Sequence, residues 1–219
     1  GTSSKSYRAA GNWDRVLATA KDGAFKKTYL LIQLGHNDGS ERPERHTELP
    51  EYKANMARFV DEARAAGAIP VLITPVTDRR WIGGKLQPGM KPWADLTAEV
   101  GREKKVTVID LYGKSFAWVG KQDATASAWM APGQPSAAVL EAAKAGMTLG
   151  VLAPPPEPPL AAGAVRPAPA VAPDGKPRSG PFDYVHIGAQ TAPVFAGMVG
   201  DGIRAQVKDL APYVVKAKT

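Results

Sequence analysis

Two textures of apolar residues alternate along this chain: short unbroken runs, and longer stretches in which apolar positions recur with helical period. Tyr29 to Leu34 is apolar except at Gln33, and the same texture returns at Ile69 to Thr74 and at Val106 to Leu111. Runs of this length without strict alternation predict buried strands of a parallel sheet. The helical period appears at Trp13, Val16 and Leu17, then at Tyr52, Met56, Phe59, Val60 and Ala63 up to Gly67, then at Trp93, Leu96 and Val100 up to Gly101. A glycine just past the last periodic residue marks a helix stop, so Gly67 and Gly101 are read as ends. Near the carboxyl terminus, Val194, Phe195, Met198, Val199, Ile203 and Val207 share one broad helical face. The order α-β-α-β-α-β plus a closing helix predicts an open α/β sheet with right-handed crossovers.

One stretch breaks the pattern. From about Gln122 to Pro181 the chain is rich in Ala, Pro and Gly, and Pro154-Pro155-Pro156 and Pro158-Pro159 forbid helix there. Ser136 to Met147 reads as a short helix, and Ala153 to Pro181 as an extended, partly polyproline loop. Such an excursion either borders an active site or serves as a spacer.

The chain has 219 residues, 44% of them hydrophobic and 22% charged, enough for one substantial core and a single domain over 1–219. No window reaches the roughly 20 apolar residues of a membrane-spanning helix, and no membrane partner is expected. Cysteine is absent, which excludes disulfides and thiolate metal sites and leaves the compartment open. The first residues lack the apolar core of a signal peptide, so an export signal would have to precede Gly1. A net charge of +7 favours anionic partners, but basic residues are interspersed with acidic ones, as in Glu41-Arg42-Pro43-Glu44-Arg45, and no nucleic-acid partner is expected.

The chemistry concentrates in two blocks. Gly35-His36-Asn37-Asp38 directly follows the first predicted strand, where open α/β sheets bind ligands. The Asn37 amide can donate to a developing oxyanion, although Gly-x-Asn-Asp-Gly is equally turn punctuation. Asp183 and His186 stand three apart before the last predicted helix. A carboxylate at that distance can fold back to orient an imidazole acting as a general base; alternatively, His186 caps the helix and Asp183 is a surface acid. His36 is read as a supporting hydrogen-bonding residue beside Asn37, and His46 as part of a solvated loop. The three are expected to converge: Asn37, Asp183 and His186 at one end of the sheet.

These residues carry a family resemblance. Gly1-Thr2-Ser3-Ser4-Lys5-Ser6-Tyr7 followed by Gly11-Asn12-Trp13, the Gly-His-Asn-Asp block, the strand end Thr74-Pro75-Val76 and the Asp-x-x-His block together resemble the SGNH (GDSL-like) hydrolases, in particular the rhamnogalacturonan acetylesterase branch. The resemblance implies a three-layer α/β/α sandwich of flavodoxin type with a parallel sheet. It further implies a carboxylic ester hydrolase without cofactor or metal, acting on an acetylated oligo- or polysaccharide or a small ester, in a secreted or periplasmic location.

Four catalytic elements are implied by that family: a serine in a Gly-Asp-Ser block, a glycine amide, the Asn amide, and the Asp/His pair. Gly1, Asn37, Asp183 and His186 match the last three. No serine in the chain follows Gly-Asp. Ser3, Ser4 and Ser6 belong to the second block and Ser40 lies beyond the Asn37 loop, so the nucleophile is expected upstream of residue 1, together with the first strands. Without those strands, the Tyr29 strand would be an unpaired sheet edge through which copies can associate, and Gly1 would offer a charged amine instead of a preorganised amide. Two other readings stand beside this one: a non-catalytic carbohydrate-binding or interaction protein on the same scaffold, and recruitment of Ser3 or Ser4 as the nucleophile.

Overall fold

The computed structural model describes residues 1–21, 23, 25–149 and 182–215. They fall into two compact units: Gly1–Thr77 with Pro88–Trp118 and Ala192–Thr219, and Asp78–Gln87 with Val119–Thr191.

The first unit is built on the three predicted runs, which form β1 (Tyr29–Ile32), β2 (Ile69–Ile73) and, later in the chain, β5 (Thr107–Ile109). They pair in parallel in the order β1-β2-β5, with Tyr29 opposite Ile69 and Val71 opposite Thr107. Successive strand residues point to opposite faces. Ile32 and Leu72 therefore enter one core with Trp13, Tyr52, Met56, Phe59, Val60 and Val100, while Val71, Ile73 and Ile109 enter another with Val207, Met198 and Ile203. The helices that supply those partners are α1 (Ser4–Ala9), α2 (Asn12–Ala20), α3 (Leu49–Ala65) and α4 (Lys91–Lys104) on the first side, and α8 (Ala192–Gln206) on the second. The result is a three-layer α/β/α arrangement around a parallel sheet.

Glu62 ties the first side together. It accepts from Arg8 Nη1 and Nη2, each at 2.7 Å, and from Trp13 Nε1 at 2.7 Å, so one carboxylate on α3 holds both preceding helices. A fork-to-carboxylate geometry of this kind is the strong form of an ion pair. Among the described strands β1 pairs only with β2, and Leu31 at that edge is 44% exposed.

The two glycines read as helix stops behave differently. Gly67, at φ +79°, does end α3: its N–H donates to Arg64 O and that of Ala68 to Ala63 O, the paired bonds of a Schellman cap. Gly101, however, lies inside α4, which runs on to Lys104 and closes with Lys105 in the left-handed region at φ +50°. The reason is packing. A Cβ on Gly101 would lie 2.0 Å from Val108 Cγ2, and one on Gly202 of α8 would lie 2.4 Å from Ile109 Cγ2. Both helices approach β5 through a glycine, one on each face.

Among the described residues, the second unit contains a short hairpin of β3 (Trp81–Ile82) and β4 (Lys85–Leu86), which the periodicity did not predict, and the helices α6 (Ala124–Ala128) and α7 (Ala137–Lys144). The predicted helix near Ser136 is α7, capped by Ser136 Oγ accepting from Val139 N. Helix α5 (Leu111–Val119) belongs to the first unit up to Trp118. The predicted extended loop from Ala153 to Pro181 lies outside the described residues.

Gly202→Ala should destabilise the protein by about 1–3 kcal/mol, the usual cost of overpacking a filled contact, even though alanine favours helix intrinsically. Denaturant unfolding checks it: the midpoint falls if helix α8 rests on Ile109 through that glycine, and an unchanged or higher midpoint contradicts the contact.

Candidate active site

In the second unit, Asp183 to His186 form a bend, and α8 begins only at Ala192, so His186 is not its cap. Asp183 Oδ1 accepts the backbone N–H groups of Val185 at 3.1 Å and His186 at 2.8 Å, and Oδ2 lies 2.8 Å from His186 Nδ1. One carboxylate thus closes the turn and holds the ring, which is what the three-residue spacing allows. An ionised carboxylate only accepts, so Nδ1 carries the proton and Nε2 presents its lone pair, the tautomer a general base requires. The His186 side chain is 75% exposed, so that lone pair can meet a substrate from solution.

The bend is held from below by a residue the sequence reading did not select. Arg79 is 1% exposed. Its Nη2 donates to Asp183 O at 2.7 Å and His186 O at 2.9 Å, its Nη1 to Val185 O at 3.4 Å, and its backbone N–H to Tyr184 O at 2.9 Å. Burial lowers the guanidinium pKa to about 10, opposed by the charges of Asp183 and Asp78, and the group stays cationic at neutral pH. Thr148 secures Arg79 in turn: its hydroxyl donates to Arg79 O at 3.0 Å and accepts from Trp81 N at 2.9 Å. Arg80 donates to Asp78 Oδ2 at 2.7 Å and lies 5.6 Å from the centroid of the Tyr184 ring.

Gly1 and Asn37 meet in the first unit. The backbone leaving β1 is anchored where Tyr52 OH donates to Leu34 O at 3.2 Å; that hydroxyl also shares a 2.8 Å hydrogen bond with Thr97 Oγ1, and burial pushes its pKa up. Gly35 follows with φ +129°, and a Cβ there would lie 3.2 Å from Trp93 and 3.3 Å from Pro75. A turn then brings Asp38 N to Gly35 O at 3.1 Å. The block is therefore both a turn and a platform, with Asn37 half-buried on it.

Asp38 fixes the amino-terminal segment to this turn. Fully buried, it accepts from Ser4 N at 3.0 and 3.1 Å and from Ser4 Oγ at 2.5 Å, while Asn55 Nδ2 donates to Ser4 Oγ at 3.1 Å. Ser3 caps α1 and exchanges hydrogen bonds with Ser6. This places Gly1 against Asn37: a Cβ on Gly1 would lie 2.6 Å from Asn37 Nδ2, which donates to Thr2 O at 3.3 Å. A carboxamide nitrogen has a second N–H to offer. Ser3 and Ser4 are 0% exposed with their hydroxyls engaged, which corrects the reading of either as an alternative nucleophile.

The other histidines take minor places. His36 is half-buried beside Asn37. His46 sits on the surface with Nδ1 facing Ser40 O at 3.0 Å and Nε2 facing Glu48 Oε1 at 2.9 Å; Glu48 and then the Ser40 carbonyl raise its pKa. Among the described residues, no group of three or more His, Cys, Asp and Glu is placed to hold a metal ion, and no helix is long and apolar enough to cross a membrane.

Desolvation raises the Asp38 pKa above its ordinary 3.8, only partly offset by the Ser4 hydrogen bonds. An acid whose pKa is raised by folding contributes most stability while protonated, and that contribution is lost as pH rises through the folded-state pKa. The stability of the wild type relative to Asp38→Asn should therefore fall as pH increases from below 3.8 and level off above the raised value. Denaturant titrations of both proteins across that range check it; a difference that grows with pH contradicts it.

The chain is similar to several known proteins. The chain is 33% identical over 120 residues to the probable rhamnogalacturonan acetylesterase YesY of Bacillus subtilis (strain 168), covering 54% of each protein. It is 31% identical over 116 residues to the rhamnogalacturonan acetylesterase RhgT of the same organism, covering 52% of this chain and 47% of that one. The chain spans about half the length of the curated relatives it matches. Among solved structures, a catalytic mutant of Axe2, an acetylxylan esterase from Geobacillus stearothermophilus, is 20% identical with a TM-score of 0.47, covering 59% of this chain and 58% of that one. Residues 1–142, which include Gly1, Asn37 and Arg79 and end before Asp183, match the model of the GDSL-like lipase/acylhydrolase family, and the chain belongs to that family.

Proposed function

We propose that this protein is a serine-type carboxylic ester hydrolase that removes acetyl groups from a plant-type polysaccharide such as rhamnogalacturonan. The observation that carries the reading is the Asp183–His186 pair, with Nδ1 held at 2.8 Å by the carboxylate and the ring open to solvent. In this mechanism His186 takes the proton of a serine hydroxyl as the oxygen attacks the acetyl carbonyl and passes it to the departing sugar alkoxide. His186 then deprotonates water, which attacks the acetyl-serine, and returns the proton to serine as acetate leaves. Asp183 orients the ring and stabilises the imidazolium. Gly1 N–H and Asn37 Nδ2 donate to the oxyanion of the tetrahedral intermediate. Residues 1–219 contain no serine after Gly-Asp, so the proposal assigns the nucleophile to a serine outside them. The names of the two Bacillus relatives support acetylated rhamnogalacturonan as the substrate. The basic surface, with net charge +7, suits a polymer that carries uronic acids.

A second reading, a carbohydrate-binding protein without turnover on the same scaffold, is favoured by one observation: no serine of residues 1–219 follows Gly-Asp. Acetate release from acetylated rhamnogalacturonan separates the two. The protein encoded by the complete reading frame should release acetate, and residues 1–219 alone should release little. In the complete protein His186→Ala should slow turnover by about 10²- to 10⁴-fold, and Asn37→Ala by about 10²- to 10³-fold. Wild-type rates in His186→Ala contradict the mechanism, and glycan binding without any acetate release supports the second reading.

A further inference from the structure

We infer that Arg79 is the positioning residue of this site, the group that sets the geometry in which Asp183 holds His186. Every backbone carbonyl from Asp183 to His186 accepts a hydrogen bond from it, three from the guanidinium and one from its backbone N–H. The first and last of those carbonyls share a single nitrogen, Nη2, at 2.7 and 2.9 Å, so one rigid planar fork fixes the separation of the acid residue from the base residue.

How the fork engages Asp183 matters as much as the count. A guanidinium beside an aspartate commonly takes the carboxylate in a bidentate pair. Here it takes the Asp183 carbonyl, and the carboxylate is left for the backbone of the turn and for His186 Nδ1. Burying a cation is costly, and a well-packed apolar residue often serves stability as well or better. At 1% exposure, Arg79 therefore does something an apolar residue cannot: it supplies several fixed donors to backbone oxygens that would otherwise be free to rotate. Lysine has a single nitrogen on a flexible stem and cannot span the same carbonyls.

The inference rests on the proposed role of His186 as the base. A catalytic group displaced by about 1 Å can lose about 10²-fold in rate. In the complete protein, with acetate release from acetylated rhamnogalacturonan as the readout, Arg79→Lys should therefore lower kcat by about 10- to 100-fold while KM changes by less than about twofold. Thr148→Val removes the hydroxyl that secures Arg79 and Trp81 while keeping volume, and should lower kcat by about 2- to 10-fold, again with KM preserved; it decides the matter if Arg79→Lys does not fold. A residue that acts only through His186 has nothing further to lose once that ring is gone. In a His186→Ala background neither substitution should reduce the residual rate. Wild-type kcat in a folded Arg79→Lys protein, or a loss that persists undiminished in the His186→Ala background, overturns the inference. Full activity in His186→Ala alone overturns the esterase mechanism, and the inference with it.

Discussion

A guanidinium removed from water must be surrounded by oxygen acceptors, and in this protein the acceptors of Arg79 are the carbonyls of the segment that carries the candidate base. That requirement organises the second unit. The segment Asp183–His186 must bend so that its carbonyls turn inward, and the same bend turns the Asp183 carboxylate toward its own following N–H groups and the His186 ring. Thr148, beyond α7, must reach back to Arg79 and Trp81. The β3–β4 hairpin adds to the same frame: Gly84 donates to Gly146 O and Thr148 to Trp81 O, each at 3.0 Å.

The first unit uses the same physics with the opposite charge. Asp38 is buried as an acceptor, and the donors it needs come from Ser4, so the amino-terminal segment is drawn onto the turn that carries Asn37. In each unit the groups with proposed chemistry are not the buried ions. Asn37 is half-buried and His186 exposed, whereas Asp38 and Arg79 are buried, Asp38 bonded to Ser4 and Arg79 to the carbonyls of Asp183, Val185 and His186. Exposed reactive groups supported by buried charged ones combine access to substrate with fixed orientation.

Much of this was legible in the residue pattern, and the exceptions have physical causes. The three parallel strands and helices α2, α3, α4 and α8 appear as apolar runs and helical stripes because their burial is periodic, whereas α5 was not read from the pattern. The β3–β4 hairpin and α1 are too short, and too dependent on tertiary hydrogen bonds, to leave a period. Gly101 was misread because a glycine that lets a helix approach Val108 has the same letter as one that ends a helix. Asp183 and His186 were visible since their spacing is itself the geometry: one carboxylate can reach both the turn and the ring. Gly1 and Asn37 were matched by resemblance, and their contact depends on Asp38, read only as part of a motif. Arg79 was missed because a charged residue normally signals surface, and nothing in its neighbourhood distinguishes it from Arg80. The adjacent signal was the strand end Thr74-Pro75-Val76, which precedes the segment that feeds the site.

The proposed chemistry depends most on Asp183 holding His186 in one tautomer, and nitrogen-detected NMR of the imidazole reads that directly. With the ring neutral, the expected result is a protonated Nδ1 whose hydrogen resonates far downfield through its bond to Asp183, a bare Nε2, and loss of that signature in Asp183→Ala. A ring protonated at Nε2, or one whose spectrum is unchanged by Asp183→Ala, would contradict it.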